Sequence, residues 1–140
     1  MRCRTQGVVL CDVLCHPTWL TGSCSRFLKI HVDTTSLPEE PGDYTIVVIP
    51  GGAKGAATLS ESSGVQSLLQ KIEKQGKWVG TICAGSLAIK TAGLVSGGQV
   101  TSHPSVENEF TGYKYSQDRV VIEQKVISSR GYLCQRDPLM

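Results

Sequence analysis

The chain has 140 residues, with 14 Lys plus Arg against 12 Asp plus Glu, and a formal net charge of +2. Its 40% hydrophobic and 19% charged content is globular and excludes a disordered tail, and the length suits one domain burying roughly two-thirds of its unfolded surface. No apolar run reaches the ~18 residues that span a bilayer, and the balanced charge gives no electrostatic footprint for nucleic acid or an anionic membrane.

In chain order, residues 1–23 are irregular in texture. Phe27–Val32 alternates and predicts a strand, and Pro38, Pro41 and Gly42 mark a loop. Tyr44–Ile49 is a β-branched run, expected of a strand buried on both faces of a parallel sheet. Pro50–Gly55 stops it. Val65, Leu68, Leu69 and Ile72 then form a helical stripe that Ser62 or Ser63 can cap and Gly76 can end. Trp78–Ile82 predicts a short buried strand, Cys83–Gly85 a turn, and Ser86–Ala92 a second helix closed by Gly93. Gln99–Thr101 predicts a strand leading into Ser102, His103 and Pro104, and Arg119–Ile122 and Lys125–Ser128 predict a hairpin. This alternation of strand and helix points to a parallel α/β sheet. Residues 132–140 show no periodicity, and no terminal helix is expected there.

Six cysteines are present: Cys3, Cys11, Cys15, Cys24, Cys83 and Cys134. A disulfide framework would suit a secreted domain. Arg2 and Arg4 precede a short apolar run, but Asp12 interrupts it and no small-residue cleavage site follows. Reduced thiols in a cytoplasmic protein are therefore expected. Cys11, Cys15 and His16 lack a second ligand pair, so no metal is expected, and no organic cofactor is indicated.

The sharpest chemical signal is Cys83 between a buried strand and a helix. A nucleophile elbow holds its reactive side chain at such a turn, above the carboxyl edge of the sheet. Ala84 and Gly85 are small enough to permit the turn, and a helix N-terminus beneath the sulfur favours thiolate. A simply buried cysteine is the competing reading. Gly51 and Gly52 end the neighbouring strand at the edge where ligands bind in open α/β sheets. The N–H of Gly52, together with that of Ala84, is a candidate oxyanion donor, against the alternative of an ordinary glycine turn. His103 leaves the next strand at the same edge and is a candidate acid, base or thiolate partner. No phosphate-loop pattern is present.

Together these residues resemble the DJ-one/PfpI superfamily, and most closely its branch containing the Parkinson-disease-associated protein deglycase. The segments that carry the resemblance are Cys24–Arg26, Asp33 with Ser36 and Leu37, Tyr44–Gly52, Gly55 and Ala56, Leu59–Glu61, Ile82–Gly85, Val100–Pro104, Tyr113–Ser116 and Ser128–Gly131. They span residues 24–131 of a single domain, residues 1–140, with 1–23 and 132–140 divergent. The resemblance implies a flavodoxin-like, class I glutamine-amidotransferase-like fold: a mostly parallel sheet with helices on both faces. It implies Cys83 as an oxidation-prone nucleophile, Gly52 and Ala84 as oxyanion donors, His103 beside the thiol, Gly51 and Gly85 as structural elbow residues, and Cys24 and Arg26 near a dimer contact. Ala84 stands where the protease-like branch has a histidine, which argues against peptidase chemistry.

The implied function is cysteine-dependent glyoxalase or protein deglycase activity on methylglyoxal, or on glycated protein or nucleotide, within an oxidative-stress response. A non-catalytic redox sensor or chaperone is a second reading. A third is an inactive truncated isoform bound to a full-length relative. A homodimer or pairing with a longer family member is expected; membrane association and sequence-specific nucleic-acid binding are not. The expected location is cytoplasmic, with nuclear and mitochondrial locations also open. Two departures from the family pattern stand out. Gly7–Leu14 can replace the first strand, but only Cys15–Ser23 follow before the match at Cys24, too few for a parallel crossover, and no glutamate occurs before Glu39 to support the thiol. After Gly131 the family's long helix is not continued. The expected fold lacks the first and last helices, as in a splice product or mispredicted gene model, and so exposes apolar sheet surface.

Overall fold

Short β-branched runs form one sheet, and the amphipathic segments pack on it. The computed structural model describes residues 21–23, 29–31, 37 and 44–131. Its strands are β1 (Thr21–Ser23), β2 (Lys29–His31), β3 (Ile46–Ile49), β4 (Trp78–Ile82), β5 (Gln99–Val100), β6 (Lys114–Tyr115), β7 (Val120–Glu123) and β8 (Val126–Ser129); its helices are α1 (Ala53–Glu61), α2 (Ser63–Lys74) and α3 (Leu87–Ala92). The main sheet has the order β3-β4-β8-β7 among the described residues. β4 lies between two parallel neighbours, β3 and β8, and the β7–β8 hairpin adds the antiparallel edge. This is a mostly parallel α/β sheet of the flavodoxin-like class. β1 and β2 pair antiparallel, and β5 and β6 parallel, outside it.

The stripe read from the sequence forms the buried face of α2: Val65, Leu68, Leu69 and Ile72. The Ser62 hydroxyl accepts from Val65 N–H at 3.4 Å, and Gly76 follows with φ +67°, so both ends are closed as expected. Leu59 of α1 and Ala88, Ile89 and Ala92 of α3 join this stripe over Val47, Ile49, Val79 and Val126 of the sheet. Leu69 is fully excluded from solvent, so Leu69→Ala is expected to cost about 2–5 kcal/mol, measured as a lower urea midpoint at an unchanged m-value.

Three local expectations change. α1 begins at Ala53, inside the segment read as a break, because Gly52 at φ +104° is the N-cap of a helix rather than the end of an element. The expected helix from Ser86 is preceded by a 3₁₀ turn, Cys83–Ser86, and its α-helical part starts at Leu87. β3 is buried on one face only: Val47 and Ile49 are covered, while Ile46 and Val48 are each 41% exposed. The sheet order explains this. The steps from β3 to β4 and from β4 to β8 run in the same direction, so right-handed crossovers deliver α1, α2 and α3 to the same side. On the other side Ile82, Val120 and Ile122 are also exposed, Ile122 at 62%. The early strand read at Gly7–Leu14 lies outside the described residues, as do Phe27, Leu28 and Val32 of the next one.

Phe110, Tyr113 and Tyr115 close the end of the core, with Phe110 edge-on to Tyr113 at 5.9 Å. Tyr113 donates its hydroxyl to the Leu94 carbonyl at 3.0 Å. Burial raises its pKa above the ordinary 10.0, Glu73 adds to the rise, and a hydrogen bond with Ser96 opposes it. The folded chain therefore holds this proton to higher pH than the unfolded chain. Its contribution to stability is complete below the unfolded value and is lost as pH rises through the folded one. Tyr113→Phe is expected to flatten the alkaline fall of the melting temperature above about pH 10.

Candidate active site at the carboxyl end of β4

β4 ends at Ile82, and the chain turns at once into the 3₁₀ segment, with half-buried Cys83 at the corner. Cys83 has φ +60°, a left-handed conformation that costs a residue with a side chain about 1–2 kcal/mol. Such strain persists only where the surroundings enforce it.

Close packing supplies part of the enforcement. A Cβ at Gly51 would stand 2.7 Å from the Cys83 Cβ and 3.5 Å from its Sγ. A Cβ at Gly131, itself at φ +94°, would stand 3.2 Å from the same Cβ and 3.6 Å from Sγ. Two glycine backbones thus flank the sulfur. A Cβ at Gly85 would strike the Pro50 carbonyl oxygen, which fixes the turn against the end of β3.

Hydrogen bonds supply the rest. His103 N–H donates to the Cys83 carbonyl at 3.3 Å. The Thr81 and Ser86 hydroxyls, on either side of Cys83 in the chain, meet at 3.0 Å in the interior. Beside them Ser128 Oγ accepts from Thr101 N–H at 3.0 Å. Thr81, Ser86, Thr101 and Ser128 are all buried, so a collar of satisfied hydroxyls underlies the corner.

The N–H groups of Gly52 and Ala84 are among those that the starts of α1 and of the 3₁₀ turn leave without intrahelical acceptors. Gly52 is exposed at the head of α1, and Ala84 is buried behind Cys83. The His103 ring is tied to its own loop: Nδ1 accepts from Ser105 N–H at 3.1 Å and lies 2.8 Å from Ser105 Oγ. Because a backbone N–H can only donate, the neutral ring carries its proton on Nε2.

The structure thus gathers Gly51, Gly85 and the His103 backbone around Cys83, and sets Ala84 next to it in the 3₁₀ turn. Cys24 and Arg26 lie outside the described residues. Sequence reasoning assigned no site role to Gly131, Thr81 or Ser86. A glycine ending a strand, and hydroxyls interrupting an apolar strand and helix, were the signals available. Among the described residues, no group of three or more His, Cys, Asp or Glu side chains is placed to hold a metal ion, and no helix is long and apolar enough to cross a membrane.

The sequence pattern of the DJ-1/PfpI family matches residues 15–135. The chain belongs to the DJ-1/PfpI family. It is 46% identical over 91 residues to the glutathione-independent glyoxalase DJ-1 of Schizosaccharomyces pombe, covering 63% of this chain and 47% of that protein. It is 39% identical over 113 residues to the Parkinson disease protein 7 homolog of Danio rerio, covering 77% and 59%. The crystal structure of Drosophila melanogaster DJ-1beta superposes with a TM-score of 0.74 at 34% identity, over 79% of this chain and 61% of the other. The chain spans about half the length of the curated relatives it matches.

Proposed function

We propose that the chain is a glyoxalase-type enzyme of this family, in which the Cys83 thiolate converts a small 2-oxoaldehyde such as methylglyoxal to the corresponding 2-hydroxy acid. The observation that carries this reading is the conformation of Cys83: a left-handed residue at the carboxyl end of a central strand, flanked by the glycines at 51 and 131. Glycine walls admit a small carbonyl compound to the sulfur. The names of relatives in Schizosaccharomyces pombe and Caenorhabditis elegans, glutathione-independent glyoxalases, support the substrate class.

In this reading, the thiolate adds to the aldehyde carbon. The carbonyl π electrons move to oxygen, and the N–H groups of Gly52 and Ala84 stabilise the resulting oxyanion. Protonation gives a hemithioacetal. Loss of the proton on the former aldehyde carbon to water gives an enediol, and reprotonation at the adjacent carbon gives a thioester, with His103 Nε2–H available to donate to the oxygen on which charge collects. Water hydrolyses the thioester, releasing the 2-hydroxy acid and the thiolate. One water is consumed, and no external oxidant or reductant enters. Early adducts of methylglyoxal with amines release the same aldehyde and feed the same site.

Following lactate by proton NMR in mixtures of the chain with methylglyoxal tests the proposal. Lactate forming in proportion to protein, and ceasing after iodoacetamide treatment, is the expected result. Lactate no faster than in buffer overturns it.

A further inference from the structure

We infer that Thr81 and Ser86 are positioning residues whose paired hydroxyls hold Cys83 in its reactive left-handed conformation. The inference deepens the reading of Cys83 as a nucleophile, and it concerns the poise of the thiol rather than its substrate. The two side chains lie two residues before and three residues after the strained corner, and their oxygens are 3.0 Å apart. Thr81 is 4% exposed and Ser86 fully buried, so water does not replace either partner.

Thr81 Oγ1 also lies 3.5 Å from the Ile127 carbonyl oxygen of β8, a long contact to which its hydroxyl can donate, and either hydroxyl of the pair can be the donor to the other. A short chain of contacts results, from the 3₁₀ turn through β4 to β8. It ties the segment after Cys83 to the strand before it, and that strand to its neighbour. Breaking it releases the torsional constraint on the one residue between them whose backbone is left-handed, since strain of this kind lasts only while neighbours enforce it. The His103 N–H bond to the Cys83 carbonyl is a second clamp, but it holds the corner from one side only.

The test measures alkylation of Cys83 by iodoacetamide, followed by mass spectrometry of the peptide containing it, together with urea unfolding of each variant. No aldehyde is present, so the outcome is independent of whether methylglyoxal is the substrate. Thr81→Val, which keeps shape and removes the hydroxyl, is expected to slow alkylation about tenfold, the effect of a 1.4 kcal/mol loss of the poised conformation. Thr81→Ser, which keeps the hydroxyl, is expected to stay within about threefold of the native rate, a loss of less than 1.4 kcal/mol. The double variant Thr81→Val with Ser86→Ala leaves no orphaned hydroxyl at the pair, so it is expected to regain stability over Thr81→Val while remaining slow. Native-rate alkylation in Thr81→Val overturns the inference. So does Thr81→Ser as slow as Thr81→Val, or a double variant whose alkylation recovers along with its stability. If Thr81→Val does not fold, the double variant alone decides by the same rate comparison with the native chain.

Discussion

Cys83→Ser is expected to lower lactate formation from methylglyoxal by at least about 10³-fold, because loss of a covalent nucleophile removes the whole pathway rather than one contact. The substituted hydroxyl has the right place and the wrong chemistry: a serine hydroxyl is not ionised near neutral pH, and among the described residues no general base is hydrogen-bonded to the side chain at this corner. His103 Nδ1 is already occupied by Ser105. His103→Gln is expected to fall less, by about 10²- to 10³-fold, the range for removing one donor to a developing oxyanion. The assay is kcat/KM for methylglyoxal on purified variants, with far-ultraviolet circular dichroism confirming the fold. If Cys83→Ser keeps more than about a tenth of native kcat/KM, a loss under 1.4 kcal/mol, Cys83 is not the nucleophile.

Gly85→Ala is expected to cost about 3 kcal/mol, the top of the range for overpacking. The new Cβ meets the Pro50 carbonyl oxygen and lies 3.0 Å from the Ile49 carbonyl oxygen. Both are backbone atoms that cannot rotate away, so the end of β3 and the turn after β4 must separate. Gly76→Ala is the matched control. It has φ +67° and open space around its Cβ position, so only backbone strain is introduced, worth about 1–2 kcal/mol. The urea midpoints of the two variants rank the effects. A Gly85→Ala midpoint at or above that of Gly76→Ala would show that the crowding at the turn relaxes cheaply. Gly85→Ala is also expected to lose Cys83 alkylation, since the corner is built on the contact it breaks.

Much of this architecture was legible because single residues carried unambiguous local signals. The i, i+3, i+4, i+7 spacing of Val65, Leu68, Leu69 and Ile72 has one low-energy interpretation, and it became the buried face of α2. Cys83 between Ile82 and Ala84–Gly85 stood out for the same reason: an apolar strand ending in small residues demands a tight corner. α1 was not legible. Its sequence, Ala53–Glu61, carries one large apolar residue, Leu59, and packs otherwise through the small Gly55, Ala56 and Ser60, so it shows no helical stripe. One-sided burial of β3 was hidden too, because Ile46 and Val48 are as apolar as Val47 and Ile49, and only the sheet order reveals which side receives helices. Gly131, the second wall of the corner, and Ile127, beside the Thr81 hydroxyl, come to it only through the parallel pairing of β4 with β8. That contact joins residues nearly fifty positions apart, and no local pattern encodes it.

The position of β8 has a consequence for how the protein is made. Strand β4 leaves the ribosome with β3 already available as a neighbour, but its other flank stays open until Val126–Ser129 has been synthesised. Until then the Thr81 hydroxyl has no Ile127 carbonyl to meet, and the Cys83 sulfur has no Gly131 beside it. The nascent chain therefore carries an unfinished corner across the whole stretch from residue 83 to residue 131, and the pairing that completes it is of the slow, non-local kind. The Cys83 side chain is thus among the last of the described residues to acquire its full environment.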